Sequence, residues 1–290
     1  MKPAPFKYVA AASLDEALAL KAEHGDEARF LAGGQSLVPA LNFRLAQPAM
    51  LIDINPLSSL AGIARANGGV RIGALTRYRT LERDPVIAEA VPLMHEALPH
   101  IAHSQIRNRG TLGGNLSHAD PASEMPAIVV ALGGRLRAQS IRGARWIAAG
   151  DFFLSALATA LEPDEMLTEI ELPANTAGSG ACFMEVSRRR GDFALMGVAA
   201  TLTLGAGGVC ATARVALCNA GETPVDASDA AAPLVGATVS EAAVDDVAAA
   251  VRQAVDPPGS LHAGKDYQRH LAGVLVKRAL LTAAERARHG

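Results

Sequence analysis

The residues best suited to bind a ligand lie in the segment 104–124, which reads SQIRNRGTLGGNLSHADPASE. Gly113 and Gly114 are adjacent, and glycine reaches positive φ without steric cost and lets a ligand approach the backbone closely. Consecutive backbone N–H groups in such a turn form a nest that holds phosphate oxygens. Thr111 and Asn115 add neutral polar groups, so the segment predicts an anion-binding loop.

A second glycine pair, Gly33-Gly34, lies in the segment AGGQS that begins at Ala32. It follows a short apolar strand at 28–31 and precedes an apolar helical run, so loop N–H groups and a helix dipole meet at one point. Gln35 and Ser36 add polar side chains. Each pair alone is also typical of a plain turn, but two such loops together favour a ligand with two phosphates, such as a dinucleotide.

Asp120 has two interpretations. It is a good N-cap for a helix that would begin at Pro121, a contribution worth about 1 kcal/mol. It can also accept hydrogen bonds from ribose or ribityl hydroxyls. Glu124, close to the same helix start, would interact favourably with the helix dipole.

Charge and composition exclude several classes of protein. Lys and Arg number 27 and Asp and Glu 29, giving a net charge of −2, so no basic field indicates nucleic acid or an anionic membrane. No apolar run approaches the roughly 18 residues of a bilayer span, and no signal pattern is present, so we expect a cytoplasmic protein. Cys182, Cys210 and Cys218 are too widely spaced for zinc or iron–sulfur ligation within the chain.

The two loops with their flanks, AGGQSLVP and TLGGNLSHADPASEMPA, resemble the FAD-binding medium subunit of the molybdenum hydroxylases, the aerobic carbon monoxide dehydrogenase and xanthine dehydrogenase relatives. The resemblance extends over essentially the whole chain. It implies an α+β fold, with a two-lobed FAD-binding domain of the PCMH/VAO type and a C-terminal domain in which a three-stranded antiparallel sheet packs on helices. The implied divisions are 1–56 and 57–175 for the two lobes and 176–290 for the C-terminal domain of the carbon monoxide dehydrogenase flavoprotein type.

The resemblance also implies which residues contact the cofactor. Arg189 and Phe193 match positions that bring a basic and an aromatic residue near the flavin, although Arg188 to Arg190 also fit a solvated turn. Some relatives have an aromatic hydroxyl where this chain has Phe193, so a polar contact there is lost. Leu167 fits either a flavin contact or core packing of a strand. The full implied set is Ala32, Gly33, Gly34, Gln35, Ser36, Thr111, Leu112, Gly113, Gly114, Asn115, Asp120, Glu124, Leu167, Arg189 and Phe193.

The elements that position the loops follow from hydrophobic patterning. A helix at 13–24 with a Ser13/Glu16 capping box, together with strands at 28–31 and 50–54, predicts a small α/β lobe with parallel pairing. The second lobe has strands and helices of mixed order. We predict strands at 70–74, 135–140 and 166–172, with helices at 76–83 (capped by Thr76) and 124–133, and Phe152-Phe153 as a core anchor.

Residues 174–180 (ANTAGSG) form the best linker. After it, strands at 181–186, 197–204 and 209–218 predict an antiparallel meander. Two helices follow, at 240–255 and from residue 265, the second with an apolar face of Tyr267, Leu271, Val274 and Leu275.

No catalytic triad, acid–base carboxylate pair or metal-ligand set is assigned, which suits a chain whose cofactor supplies the redox chemistry. By resemblance, electrons come from a molybdopterin site on a large subunit through [2Fe–2S] clusters on a small subunit to FAD here, in a dimer of heterotrimers. Two alternatives are a free-standing FAD-dependent reductase or oxidase of the same fold, and a protein of this fold that has lost its flavin.

Overall fold

The first lobe is a three-stranded parallel sheet with short helices. The computed structural model describes residues 1–66 and 68–289, so the predicted domain end at residue 290 lies outside it. In chain order the elements are β1 (Lys7–Ala10), α1 (Leu14–His24), β2 (Ala28–Leu31), α2 (Leu37–Asn42) and β3 (Met50–Asp53). The strand order is β1-β3-β2, and both pairings are parallel, as predicted. Strand β1, which the sequence analysis does not predict, forms the outer edge.

Helix α1 has the predicted start and end. Its N-cap Ser13 accepts a hydrogen bond from the Glu16 N–H (3.1 Å), and the Glu16 carboxylate accepts one from the Ala12 N–H (2.7 Å). Gly25 ends the helix with φ +48°, a conformation that glycine adopts at low cost. The buried Ala17 and Leu18 face the lobe's small core.

The second lobe is built on a five-stranded antiparallel sheet in the order β4-β5-β10-β6-β7. Its strands are β4 (Ile63–Ala66), β5 (Gly69–Gly73), β6 (Arg135–Ser140), β7 (Gly143–Ala148), the β8/β9 hairpin (Phe153–Ser155, Ala158–Thr159) and β10 (Met166–Pro173). Its helices are α3 (Tyr78–Leu81), α4 (Pro85–Ala90), α5 (Pro92–Ala97), α6 (Ser104–Arg107), α7 (Leu112–His118), α8 (Glu124–Ala131) and α9 (Ala149–Phe152). Helix α8 is buried along its whole length, and Phe152 and Phe153 are buried as predicted.

The C-terminal domain begins with the predicted meander. Strands β11 (Ser179–Ser187), β12 (Ala194–Leu204) and β13 (Cys210–Cys218) pair antiparallel, and a two-residue strand β14 (Val225–Asp226) adds a short fourth member. Helices α10 (Ser228–Ala231), α11 (Glu241–Ala254) and α12 (Lys265–His289) follow. No helix among the described residues has both the length and the apolar character needed to cross a bilayer.

The C-terminal sheet is covered on both faces. Because side chains alternate along a strand, Cys182 and Val198 join the core formed with α11 and α12. Phe183, Ala199 and Cys218 join the core of the second lobe, on which α5 and α8 pack. The sheet therefore joins the C-terminal domain to the second lobe through a shared apolar core.

Two local predictions are wrong. Helix α3 begins at Tyr78 rather than at a Thr76 cap, because the Thr76 hydroxyl is hydrogen-bonded to both backbone groups of Gly62 (2.9 and 3.1 Å). On α12, Leu271 and Leu275 are buried, but Tyr267 is 48% exposed and lies outside the apolar face.

Candidate cofactor site

The first glycine loop carries backbone donors that the protein does not use. Among the described residues, no protein acceptor pairs with the N–H groups of Gly33, Gly34, Gln35 or Ser36. Gly34 has φ +72°, the predicted left-handed conformation, and its carbonyl accepts the Val38 N–H at the start of α2 (3.0 Å). The Gln35 side-chain amide donates to the Gly33 carbonyl (2.8 Å) and braces the loop. This loop has the donor arrangement of an anion nest.

The second glycine pair lies in a helix and not in the predicted turn. Gly113 and Gly114 form the first turn of α7, with Thr111 as N-cap, and neither has a positive φ. The Gly113 N–H donates to the Ala74 carbonyl (2.8 Å), and the Gly114 N–H donates to the Thr111 hydroxyl (3.1 Å). The Leu112 and Asn115 N–H groups are also paired, so the predicted nest of free donors at this pair is wrong.

Close packing of α7 against its neighbours explains why the second pair consists of glycines. A Cβ on Gly113 would lie 2.5 Å from the Cβ of Ala74, the residue directly after β5, so a side chain there would push α7 away from the end of β5. Gly114 is exposed on the opposite side, and a Cβ there would lie 2.7 Å from the Thr111 hydroxyl that caps the helix. Glycine therefore keeps α7 close to the sheet and leaves its N-terminal end uncovered.

The two loops lie side by side in space, as a single ligand with two phosphates would require. A Cβ on Gly33 would lie 2.9 Å from the Gly110 Cα and closer still to the Arg109 carbonyl oxygen. A Cβ on Gly114 would lie 3.8 Å from the Ala32 Cβ. The backbone of the first lobe thus touches the backbone of the second at the two glycine loops.

A hydrogen-bonded pair that sequence reasoning missed supports this contact. The Asn55 side-chain amide donates to the Ala32 carbonyl (2.9 Å), and its oxygen accepts a bond from Arg77 (2.5 Å). Arg77 also donates to the Arg109 carbonyl, so one arginine and one asparagine connect both loops. The only sequence signal was Asn55-Pro56, which ends a strand.

Asp120 does not cap a helix. Its carboxylate accepts the Ala122 N–H in a local turn (2.9 Å), and α8 begins at Glu124 after Ser123, so the predicted helix start is wrong. The Asn115 amide donates to the Ser123 hydroxyl (2.6 Å), which ties the second loop to the start of α8. Asn115 Oδ1 is a buried atom without a partner among the described residues.

Glu124 is 4% exposed, which the sequence did not indicate. Burial raises the pKa of its carboxyl group to about 7 because the charged form loses hydration. The hydroxyl of Tyr78, buried on α3, also has no partner among the described residues, and its pKa is raised by burial and by the Glu124 charge. Unpaired polar atoms and a buried carboxyl group therefore lie beside the second loop.

The C-terminal domain brings Phe193 to this region through Asn219, another residue missed by the sequence analysis. The Asn219 N–H donates to the Pro121 carbonyl (2.7 Å), and its side-chain amide donates to the Ala194 carbonyl (2.8 Å). Asn219 has φ +56°, a conformation in which asparagine is enriched. It therefore fixes the backbone beside Phe193 against the turn that carries Asp120.

The predicted aromatic and basic residues are open to solvent. Phe193 is 62% exposed, and the Arg189 side chain is 77% exposed, 3.7 Å from Asp192. Asp192 is engaged mainly by Arg188 (2.7 Å). Leu167 is buried in β10 opposite Ala138. This position agrees with the interpretation of Leu167 as a core residue of a strand.

The residues present fit an anionic dinucleotide. N–H groups of the first loop that have no acceptor among the described residues, and glycines that allow close approach to the backbone, are the features that such a ligand requires. The two-lobed α+β fold with these loops at the junction, followed by a helix-covered sheet, has the architecture of a dinucleotide-binding protein with an added C-terminal domain.

Comparison with known proteins identifies the family. Residues 4–175 match the FAD binding domain in molybdopterin dehydrogenase, and residues 181–283 match the CO dehydrogenase flavoprotein C-terminal domain. The chain belongs to the family of FAD-binding medium subunits of molybdenum hydroxylases, and it is an oxidoreductase subunit, as the sequence resemblance implied.

Similar proteins align with this chain over nearly the whole length of both sequences. The 6-hydroxypseudooxynicotine dehydrogenase complex subunit alpha of Paenarthrobacter nicotinovorans is 41% identical over 99% of this chain and 97% of its own. Caffeine dehydrogenase subunit beta of Pseudomonas sp. (strain CBB1) is 41% identical, with 100% and 98% covered. A chain of carbon monoxide dehydrogenase from Hydrogenophaga pseudoflava, solved in a form lacking the Mo-pyranopterin moiety, superposes with a TM-score of 0.96 at 38% identity, with 99% of each covered.

Proposed function

We propose that this chain holds FAD, receives electrons from the [2Fe–2S] clusters of a small partner subunit and passes them to an external acceptor. The observation that carries the proposal is the row of N–H groups from Gly33 to Ser36, for which the described residues offer no acceptor, beside a second loop in direct backbone contact. A bound flavin can accept single electrons and deliver two, and the protein supplies position, electrostatics and access.

The residues of the two loops would have unequal roles. The first loop would bind the diphosphate through its backbone, and α7 would form the opposing wall with its exposed Gly114. Asp120 and Glu124 would accept hydrogen bonds from sugar or ribityl hydroxyls. Arg189 and Phe193 would approach the flavin from the C-terminal domain, and Leu167 would support it from β10.

The domain division belongs to the same proposal. We assign residues 1–56 and 57–175 to two lobes with the cofactor at their junction, and residues 176–290 to the C-terminal domain. The separate parallel, antiparallel and C-terminal sheets support these boundaries.

The proposed partners are a large molybdenum-cofactor subunit and a small [2Fe–2S] subunit in a dimer of heterotrimers. The full-length similarity to chains named as subunits supports an assembly of this kind. Isolation from the native source tests it: the chain should co-purify with molybdenum and iron. A chain that is always isolated alone, with neither metal, would reject the partnership.

Flavin absorption of the purified chain tests cofactor binding. We expect a yellow protein with about one FAD per chain, and a colourless protein that does not take up added FAD would reject the function. Gly114→Val would cover the exposed end of α7 and disturb its Thr111 cap, so this variant should lose most of its FAD. Normal flavin content in the variant would contradict the placement of the cofactor at this helix.

A further inference from the structure

Leu157 has a backbone conformation that leucine rarely adopts. It is the second of the two residues, Ala156 and Leu157, that join β8 to β9, and its φ is +59°. A positive φ in such a turn favours glycine or asparagine, because a Cβ crowds the neighbouring backbone. In the hairpins that join β4 to β5 and β11 to β12, glycine has the positive φ, at Gly68 and Gly191. The leucine therefore strains the backbone of its hairpin.

The folded chain gains little from the Leu157 side chain. This side chain is 60% exposed and belongs to none of the apolar cores formed by the described residues. The Leu157 N–H donates to the Ala119 carbonyl (3.1 Å), a bond that any residue except proline can make. Since neither core packing nor this bond requires leucine, the side chain points to a contact with a molecule that binds at this surface.

Backbone strain is concentrated at the turn 119–121. Ala119, which ends α7, has φ +52°, and Asn219, whose N–H donates to the Pro121 carbonyl (2.7 Å), has φ +56°. With Leu157, three of the five non-glycine residues that have a positive φ in the described part of the chain lie in this turn or donate to it. Such strain persists only where the surrounding structure imposes it, and it clusters at binding sites. The hairpin and the C-terminal domain thus both hold this turn.

Asp120 is the central residue of the turn. One of its carboxylate oxygens accepts an N–H of the same turn (2.9 Å), and the other has no donor among the described residues. Leu157 is bonded to the residue before Asp120, and Asn219 to the residue after it. The Asn219 side-chain amide also donates to the carbonyl of the residue that follows Phe193 (2.8 Å). Two exposed apolar side chains, Leu157 and Phe193, therefore belong to segments fixed to the turn that carries Asp120.

We propose that the Leu157 side chain covers the flavin end of the bound cofactor, an inference that rests on the proposed function. Helix α7 connects the two places that matter: Gly114 lies beside the first glycine loop, and Ala119 is bonded to Leu157. With the diphosphate at the loop and a hydroxyl at Asp120, the aromatic ring is the part of the cofactor left for the apolar side chains. Contact with the ring removes the exposed Leu157 side chain from water, and this gain offsets the backbone strain.

The Leu157→Asn variant separates contact with the cofactor from stability of the hairpin. Asparagine has nearly the shape of leucine, is polar and adopts a positive φ more readily. Leu154→Asn is the matched control, because Leu154 is another exposed leucine of the same hairpin (64%) and does not have a positive φ. Leu157→Met keeps an apolar side chain and tests rescue.

Three measurements on the full chain are compared. Titration of the FAD-free chain with FAD gives Kd, the visible absorption bands of the bound flavin report its exposure to water, and urea unfolding of the FAD-free chain gives stability. We expect Leu157→Asn to bind FAD about tenfold more weakly, as for loss of one apolar contact, with bands shifted toward those of free FAD. Its urea midpoint should equal or exceed that of the parent, because asparagine relieves strain. Leu154→Asn and Leu157→Met should bind FAD within about twofold of the parent.

Other results would overturn the contact. FAD binding by Leu157→Asn within about twofold of the parent would show that the leucine serves a partner protein and not the cofactor. Weaker binding together with a lower urea midpoint would assign Leu157 to the stability of the hairpin. An equal loss of affinity in Leu154→Asn would show a general effect of polarity on the hairpin. A parent chain that binds no FAD would reject the proposed function itself, before any variant is compared.

Discussion

Replacing Gly33 by alanine tests whether the contact between the two lobes creates the cofactor site. Gly33 does not have a positive φ, so alanine can adopt its backbone conformation and the effect is purely steric. The new Cβ would overlap the Arg109 carbonyl and lie 2.9 Å from the Gly110 Cα. These are backbone atoms that cannot rotate away, so the loops must separate.

The expected magnitude follows from overpacking. Forcing a methyl group into a filled space costs about 1–3 kcal/mol. Because FAD would bind to the loops in their close arrangement, the same energy would weaken binding about 5- to 150-fold, at 1.4 kcal/mol per factor of ten. Asn55 and Arg77, which bridge the loops, would lose their geometry and contribute to the loss.

Titration of the FAD-free chain with FAD, followed by flavin fluorescence, measures the change in Kd, and urea unfolding measures the change in stability. Gly150→Ala is the control, since Gly150 is exposed in the short helix α9 and a Cβ there meets nothing within 4 Å. It should leave FAD binding unchanged and stabilise the fold slightly, by up to about 1 kcal/mol. A Gly33→Ala chain that binds FAD within about twofold of the parent, with unchanged unfolding, would refute the steric argument.

Three further predictions concern the junction with the C-terminal domain. Glu96 accepts two bonds from Arg286 (2.8 and 2.9 Å) and one from the Phe183 N–H (3.0 Å), so Glu96→Ala should lower the free energy of unfolding by about 1–2 kcal/mol, measured in urea. Glu89→Ala is the control: it breaks an exposed ion pair with Arg65 and should change the free energy of unfolding by less than about 0.5 kcal/mol. Equal losses of stability in the two variants would contradict the prediction. Asn219→Ala should cost about 1–2 kcal/mol, because it loses the bonds to the 194 and 195 carbonyls and puts alanine at φ +56°; an unchanged urea midpoint would contradict this. In the FAD-free chain, the raised pKa of Glu124 means that the folded state binds its proton more tightly than the unfolded state, so this stabilisation is complete below about pH 4.5 and is lost as pH rises to about 7. Glu124→Gln should therefore remove a loss of stability of about 2 kcal/mol between pH 5 and pH 7, measured by unfolding at the two pH values, and an identical pH dependence in both proteins would show that Glu124 is not the group.

Local patterns predicted the regular elements well because each pattern is a property of neighbouring residues. The Ser13/Glu16 capping box and the alternation in 135–140 depend only on nearby sequence, and both are confirmed. The helix predicted from residue 124 is confirmed as α8, but the helix start predicted at Pro121 is wrong, because Asp120 is chemically suited to two local structures. Its side chain forms an Asx-type turn with Ala122 instead, and the sequence does not show whether the helix cap or the turn will form.

Contacts between distant segments could not be predicted in the same way. Asn55, Arg77 and Asn219 are ordinary polar residues in sequence, and their importance arises only when the fold brings residues 32, 109 and 121 beside them. The buried Glu124 shows the same limit. A glutamate at the first position of a helix is normally exposed, but α8 packs against α5, α7, β12 and β13, and Glu124 is buried with the rest of the helix.

The two glycine pairs look equivalent in sequence but have different structural roles. In the first loop, Gly34 has a positive φ and the N–H groups of residues 33–36 have no acceptor within the described part of the chain, an arrangement suited to an anion. In the second, Gly113 and Gly114 are helical and their N–H groups are paired, so they attract nothing through the backbone; their small size lets α7 approach β5 and the first loop. An anion held by one loop and only enclosed by the other would depend strongly on the first loop's N–H groups and weakly on those of the second. A substitution that adds bulk to either loop would still be harmful, because Gly33 in the first loop and Gly113 in the second are both packed too closely against backbone to admit a side chain.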